Sequence, residues 1–338
     1  MAGLAVSLPD PALERSVSRG MDLVEQRLQA VVAGADPFVT GAAKHLLEAG
    51  GKRLRPLLTV LTAHLGSGVS DAVVDAAAVV ELTHLASLYH DDVMDSAPLR
   101  RGQPAAHQVY GPTVAILTGD LLFARASALV ADLGPEAVRI QALTFERLCL
   151  GQIQETTGPA AGQDPVAHHL QVLAGKTGAL IATSAHFGAQ LAGCPAPVVQ
   201  ALVAYGEAAG VAFQLADDII DLASQAAVTG KTPGTDLRER VPTMPVLLVQ
   251  RAAAADQAAG LAGGPNIDLA RALAGDLSDD AVLAQVVERL VAHPAMEAAR
   301  EVARSWAAKA VGELGPVPDG PVKAALASIA DLFVQRLA

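Results

Sequence analysis

An all-α fold is predicted from three features of the sequence. Apolar residues make up 51% of the chain but aromatics only 3%, so the interior must be filled by Ala, Leu and Val, a composition that favours helices. Apolar positions recur at three- and four-residue spacing through most of the length, and no stretch alternates with the two-residue period of a strand. Glycine and proline fall between these periodic stretches as punctuation. The 338 residues can bury a large core. With no fixed-period repeat and no linker composition, one domain over residues 1–338 with about a dozen helices is expected.

The elements follow in order. Leu13 to Ala33 opens with a helical pattern, and Thr40 is expected to cap a second helix that Gly50-Gly51 ends. Lys52, Arg53 and Arg55 crowd the start of the next helix, where cations are electrostatically misplaced. An anionic partner is therefore expected there, while Pro56 suits a first helical turn. Ser70–Tyr89 is a long apolar helix ending in Asp91-Asp92-Val93-Met94-Asp95, and a polar loop to Pro104 follows. Helices are expected over Thr113–Leu133, Pro135–Thr156 and Val166–Ala192, the last weakened at Gly175-Lys176-Thr177-Gly178. Val198–Leu222 carries a second acidic pattern, Asp217-Asp218-Ile219-Ile220-Asp221. Further helices are expected over Val246–Ala262, Leu269–Leu277, Asp279–His293, Ala295–Leu314 and Val322–Leu337.

The net charge of −11 argues against a nucleic-acid partner. Cys149 and Cys194 match no metal-ligand spacing and are too few for a disulfide framework. The first ten residues lack the order of a signal peptide. No uninterrupted apolar run reaches about 18 residues, so a soluble cytoplasmic protein without a transmembrane segment is expected.

Both acidic patterns read D-D-x-x-D on apolar helices. Their first and last aspartates sit at i and i+4 on one face, where unpaired carboxylates repel. A divalent cation reverses that repulsion, and magnesium, a hard ion taking carboxylates, water and phosphate oxygens, is the natural choice. Lys52, Arg53, Arg55, Arg100, Arg101, Lys176 and Lys231 lie near glycines, in loops or at helix starts. Carboxylates with magnesium and surrounding cations suit a diphosphate. No Walker-type loop is present. Apolar interiors poor in aromatics suit a hydrocarbon tail better than a base or sugar.

These motifs together resemble the trans-isoprenyl diphosphate synthases, or polyprenyl synthetases. The matching residues run in order: Gly50-Gly51-Lys52-Arg53-Leu54-Arg55-Pro56, His84, His90 with the first acidic pattern, and Arg100-Arg101-Gly102-Gln103-Pro104. Gly119-Asp120, Gln152–Glu155, Lys176-Thr177-Gly178, Phe213-Gln214 with the second acidic pattern, Gly230-Lys231 and Asp236-Leu237 complete the series. Beyond Pro245 the resemblance adds little.

The resemblance implies a single-domain helical bundle around a deep central cavity, the type I isoprenoid synthase fold. It implies a magnesium-dependent condensation of isopentenyl diphosphate with an allylic diphosphate, in a homodimer, with three ions on the bound diphosphate. Asp91, Asp95, Asp217, Asp218 and Asp221 are the metal ligands so implied, with Asp92 in support. Arg100, Lys176 and Lys231 would neutralise the leaving diphosphate. Lys52, Arg55, His84 and Arg101 would hold isopentenyl diphosphate, with Gly51 allowing close approach. Thr177 and Gln214 would turn oxygen dipoles to the allylic cation. One departure stands out: the lysine expected after Asp236-Leu237 is missing, and Arg240 is the nearest cation.

Plainer readings apply elsewhere. His90 is expected to be structural, His168-His169 exposed, and Trp306 a core or interface anchor. Glu155 with Gln152 and Gln154 is either a supporting network or a polar helix face. A terpene cyclase is the alternative from another enzyme class, but it has no use for a second diphosphate site. A silent partner subunit would tend to lose one acidic pattern. Product length is read from the residues before Asp91. A helical turn rises about 5.4 Å, close to one extended isoprene unit, so Ser87, Ala86, Thr83 and Leu82 are successive floors for the growing tail. Short-chain members of the family it resembles tend to place an aromatic near the first two; this chain has none, so the resemblance implies a product of about thirty carbons or more. Geranylgeranyl diphosphate is the shorter alternative.

Overall fold

The computed structural model describes residues 10–223, 234–335 and 337. Its helices are α1 (Pro11–Val32), α2 (Pro37–Glu48), α3 (Leu54–Ala63), α4 (Asp71–Met94), α5 (Ala106–Tyr110), α6 (Pro112–Ala131), α7 (Pro135–Thr157) and α8 (Pro165–Leu173). A π-helical turn (Ala174–Gly178) leads into α9 (Ala179–Leu191), followed by α10 (Ala196–Ala223), α11 (Thr235–Arg238) and α12 (Met244–Ala258). The chain closes with α13 (Pro265–Leu273), α14 (Asp280–Val291), α15 (Pro294–Glu313) and α16 (Pro321–Gln335). The fold is all-α, as expected. The described strands are β1 (Leu99–Arg100) and β2 (Gln103–Pro104), which pair antiparallel inside the expected polar loop.

Two compact units divide the chain. Among the described residues, the first comprises 10–148, 179–207 and 312–328; the second comprises 149–178, 208–223, 234–311, 329–335 and 337. In the first unit α4 is central, packed on α6, α3, α9 and α1. Val73, Ala76, Ala77, Val79, Leu82, Leu85 and Ala86 are all fully buried, because small side chains let its neighbours approach from several sides. Ser70 caps the helix by accepting from Val73 N. Thr40 does not cap α2. Asp36 does, accepting from Phe38 N and Val39 N, while Thr40 lies inside the helix and bonds back to Gly34.

The second unit is built on the C-terminal half of α10. Val211, Leu215, Ile219 and Leu222 form its buried face against Leu173 of α8, Met244, Leu247 and Val249 of α12, and Leu283 and Leu290 of α14. Each such side chain contributes roughly 1.5–3 kcal/mol on burial. Their sum is ample to hold the acidic face of the same helix in place. Trp306 packs against this core as expected, with the Lys309 ammonium 4.3 Å from its ring centre.

Among the described residues, three helical stretches could by length and composition cross a membrane: α4, α6 and Ala196–Leu222 of α10. The absence of a long uninterrupted apolar run therefore did not settle that question. In α4 and α10 the apolar window is 72% and 61% buried within the protein, whereas in α6 it is 33%. Core packing accounts for the first two; α6 keeps an apolar face exposed.

Candidate active site

In the first unit a single row along α4, Glu81, His84, Leu88, Asp91 and Asp95, follows the three- and four-residue steps of one helix face. The loop after α2 brings the predicted cations to this row. Gly51 has φ +135° and Arg53 φ +49°, a left-handed turn that a bulky residue enters at a cost. A Cβ on Gly51 would lie 2.7 Å from the Arg101 guanidinium carbon. The glycine thus makes room for a cation of the site itself, a more specific reason than close approach of substrate.

Arg53 is the keystone of this loop. Its guanidinium donates to Glu81 Oε1 (2.9 Å), Glu25 Oε2 (3.3 Å) and the carbonyl of Leu47 (2.9 Å). Glu81 is 2% exposed, and a buried pair broken on one side costs about 3–5 kcal/mol. Arg53 therefore fixes the segment that presents Lys52 and Arg55. Sequence reasoning missed this role for Arg53 and missed Glu81 altogether. The available signal was a lone carboxylate in the mostly apolar run Ala76–Ala86.

Arg101, in the β1–β2 turn, donates to the carbonyls of Leu46 (3.0 Å) and Gly50. Arg55 is buried enough that desolvation pulls its guanidinium down to about 10, with Glu81 opposing and Arg101 reinforcing the shift. Its Nε is buried without a hydrogen-bond partner. Among the described residues neither Arg55 nor Arg101 has a carboxylate within ion-pair distance. His84 is held well below the ordinary histidine range, first by burial and then by Arg55, Arg101, Arg100 and Arg53. A buried imidazole held neutral by nearby arginines, two of them without a carboxylate partner among the described residues, suits an anion site.

Asp92 is 0% exposed and accepts from Arg100 Nε at 2.6 Å, while its other carboxylate oxygen is buried without a donor. Tyr89, beside it, donates to the carbonyl of Ala42 and accepts from Leu46 N, and burial raises its phenol above the usual range. His90 is structural as expected, its Nε2 donating to the Ile116 carbonyl (3.0 Å) near Asp120.

In the second unit Gln214, Asp217, Asp218 and Asp221 share one side of α10. Asp221 accepts from Asp236 N (3.2 Å), and its carbonyl accepts from Gly234 N. Asp218 is buried and paired with His169 of α8 at 3.2 Å. The expectation that His168-His169 is exposed is thus overturned. Both are buried, and His168 Nε2 donates to the Gln154 carbonyl.

The predicted weak point at Gly175–Gly178 is the π-helical turn. A Cβ on Gly151 would stand 2.8 Å from Lys176 N, so this glycine of α7 admits the bulged backbone. Lys176 Nζ meets Glu155 Oε2 at 2.6 Å, so Glu155 supports Lys176, whereas Gln152 Oε1 is buried without a hydrogen-bond partner. Thr177 Oγ1 donates to Gln214 Oε1 (3.3 Å), joining two residues predicted for the same task. Arg240 is left-handed (φ +60°) and exposed, and its guanidinium donates to the Gly275 carbonyl. Lys231 lies outside the described residues. Among the described residues no three His, Cys, Asp or Glu side chains converge as a ready metal-binding group.

An all-α fold with two D-D-x-x-D helices, the first carrying a buried histidine near arginines, defines the class of the isoprenoid synthases. A profile of the polyprenyl synthetase family matches residues 36–263. The chain is 44% identical over 333 residues to the nonaprenyl diphosphate synthase of Mycobacterium tuberculosis, covering 98% of this chain and 96% of that protein. It is 36% identical over 328 residues to the dimethylallyltranstransferase of the same organism, covering 97% of each. A crystal structure of geranylgeranyl pyrophosphate synthase from Corynebacterium glutamicum, complexed with calcium and isoprenyl diphosphate, superposes with a TM-score of 0.85. Identity to that chain is 39%, over 98% of this chain and 99% of that one. This chain belongs to the polyprenyl synthetase family of prenyltransferases.

Proposed function

We propose that the chain condenses isopentenyl diphosphate with an allylic diphosphate to build a long-chain trans-polyprenyl diphosphate. The observation that carries this reading is the cluster of Arg55, Arg101 and His84. It is an anion site beside the first acidic pattern, which a cyclase acting on one diphosphate would not need. Lys52, Arg55, His84 and Arg101 hold isopentenyl diphosphate, with Gly51 opening the loop. Arg100, fixed by Asp92, and Lys176, fixed by Glu155, neutralise the allylic diphosphate together with Lys231.

The aspartates fit magnesium. They offer hard oxygens only, Asp92 has a buried oxygen without a donor, and this ion is bound through one or two carboxylates plus phosphate oxygens rather than by a full protein cage. Asp91, Asp95, Asp217, Asp218 and Asp221 would hold three ions with the diphosphate, and the buried Asp92 supports them. Bound magnesium neutralises the charge that develops on the departing diphosphate. The C–O bond of the allylic partner breaks, and the diphosphate leaves with the electron pair. The isopentenyl double bond then attacks the allylic carbon and a proton is lost. Thr177 and Gln214 direct oxygen dipoles to the cation, and apolar walls exclude water. Incubation with labelled isopentenyl diphosphate, an allylic primer and magnesium, followed by chromatography of the hydrolysed products, tests the reading. A ladder of polyprenols supports it; an unextended or cyclised primer overturns it.

The identity to a nonaprenyl diphosphate synthase and the small residues before Asp91 support a long product. The structural likeness to a geranylgeranyl pyrophosphate synthase keeps the shorter product as the second reading. Ala86, Thr83 and Leu82 are fully buried and Ser87 is half-buried. Ser87→Phe is thus the least disruptive block, with Ala86→Phe one step deeper. Either should shorten the product by at least one isoprene unit, since a ring fills about one helical turn of tail path. An unchanged product distribution in both would show that the tail runs elsewhere.

The chain is further proposed to act as a homodimer through α6. Ile116 and Leu117 are 42% and 60% exposed, and Phe145 of α7, in ring contact with Phe123, is 37% exposed. An apolar face of this kind marks an association surface, and a second copy is the simplest occupant. Leu117→Lys should halve the mass seen by light scattering. A monomeric wild-type chain would contradict the assignment.

A further inference from the structure

The buried histidine pair of α8 lies outside every role assigned above. His168 and His169 are 8% and 7% exposed. They are tied to two different helices, His168 to the Gln154 carbonyl of α7 at 3.1 Å and His169 to Asp218 Oδ2 of α10 at 3.2 Å. A carbonyl and an ionised carboxylate only accept, so each Nε2 carries the proton and donates. Asp218 is 5% exposed, and a buried carboxylate without a donor is costly enough to turn away or be neutralised. The link joins the acidic pattern of α10 to the helix whose neighbouring residue, Glu155, holds Lys176. Resting on the function proposed above, we infer that His169 is a positioning residue for the α10 metal site, holding Asp218 in the one orientation that serves it. Partners that orient a ligating carboxylate typically carry 10–100-fold of metal affinity or activity.

A histidine that merely fills the core makes a different forecast, and binding of manganese in the presence of inorganic diphosphate separates the two without turnover. His169→Phe should weaken manganese binding about 10–100-fold and raise the half-saturating magnesium concentration for turnover similarly. The KM for isopentenyl diphosphate should move by less than about twofold, since the side-chain partner of His169 is Asp218 and not a residue assigned to that site. His169→Gln, whose amide can donate from nearly the same place, should recover most of the loss; the shorter His169→Asn should not. In an Asp218→Asn background His169→Phe should add less than about twofold, because residues acting through one contact are non-additive. Unchanged manganese binding in a folded Phe variant, or an equal penalty with and without Asp218, overturns the inference. If the Phe variant unfolds, the Gln and Asn variants decide, and equal affinities overturn it. Asp217→Ala serves as the reference. If it leaves manganese–diphosphate binding intact, the proposed function fails and this inference with it. If it abolishes binding while the His169 variants do not, this inference alone fails.

Discussion

Asp91→Ala and Asp217→Ala should each lower kcat by about a thousandfold or more while leaving the helical fold intact. A metal ligand at the leaving diphosphate stabilises chiefly the transition state, where the contribution is several kcal/mol, and each 1.36 kcal/mol is tenfold in rate. Loss of a transition-state contact lowers kcat and kcat/KM together. The fold survives because both aspartates are half-buried, off the apolar faces of α4 and α10, and Ala is the better helix former. Steady-state kinetics across a magnesium titration check this. Near-normal turnover in both variants at limiting magnesium would remove the aspartates from the mechanism.

Lys52→Ala and Arg55→Ala should raise the KM for isopentenyl diphosphate about tenfold to a hundredfold, a charge-assisted hydrogen bond carrying about 1.5–3 kcal/mol. The allylic KM should change far less. For Arg55 the expectation follows from its surroundings. The guanidinium is desolvated, its Nε has no acceptor, and Arg101 beside it pulls its pKa down further. A cation kept in that condition is poised for an anion that the protein itself does not supply. Glu81 stays balanced without it, because Arg53 carries that pair at 2.9 Å. If Arg55→Ala altered only the allylic KM, the two diphosphate sites would have to be exchanged.

Most of the helices and both acidic patterns were legible in the sequence because their signals are local. The long apolar helix expected from Ser70 is α4, and the glycines around Lys176 mark a real irregularity in the backbone. What escaped was set by distant partners. His169 meets a carboxylate 49 residues away and Arg53 a glutamate 28 residues away; neither pairing leaves a mark on its own neighbourhood. Thr40 and Asp36 are both of residue types that cap helices, and only the backbone, with Pro37 at the first helical position, decides for Asp36. The hairpin at Leu99–Pro104 has two residues in each strand, too short for any period to show. The two acidic patterns are alike beyond their spelling: in each the second aspartate is the buried one, paired with Arg100 or His169. That division between buried and accessible carboxylates is not encoded in D-D-x-x-D itself.

The most direct measurement of the central claim is diphosphate release from an allylic diphosphate, followed with and without isopentenyl diphosphate and with and without magnesium. Condensation at two diphosphate sites predicts release only when both isopentenyl diphosphate and magnesium are present, with one diphosphate freed for each isopentenyl diphosphate consumed. Steady release from the allylic diphosphate alone, or consumption of isopentenyl diphosphate without matching release, would contradict it.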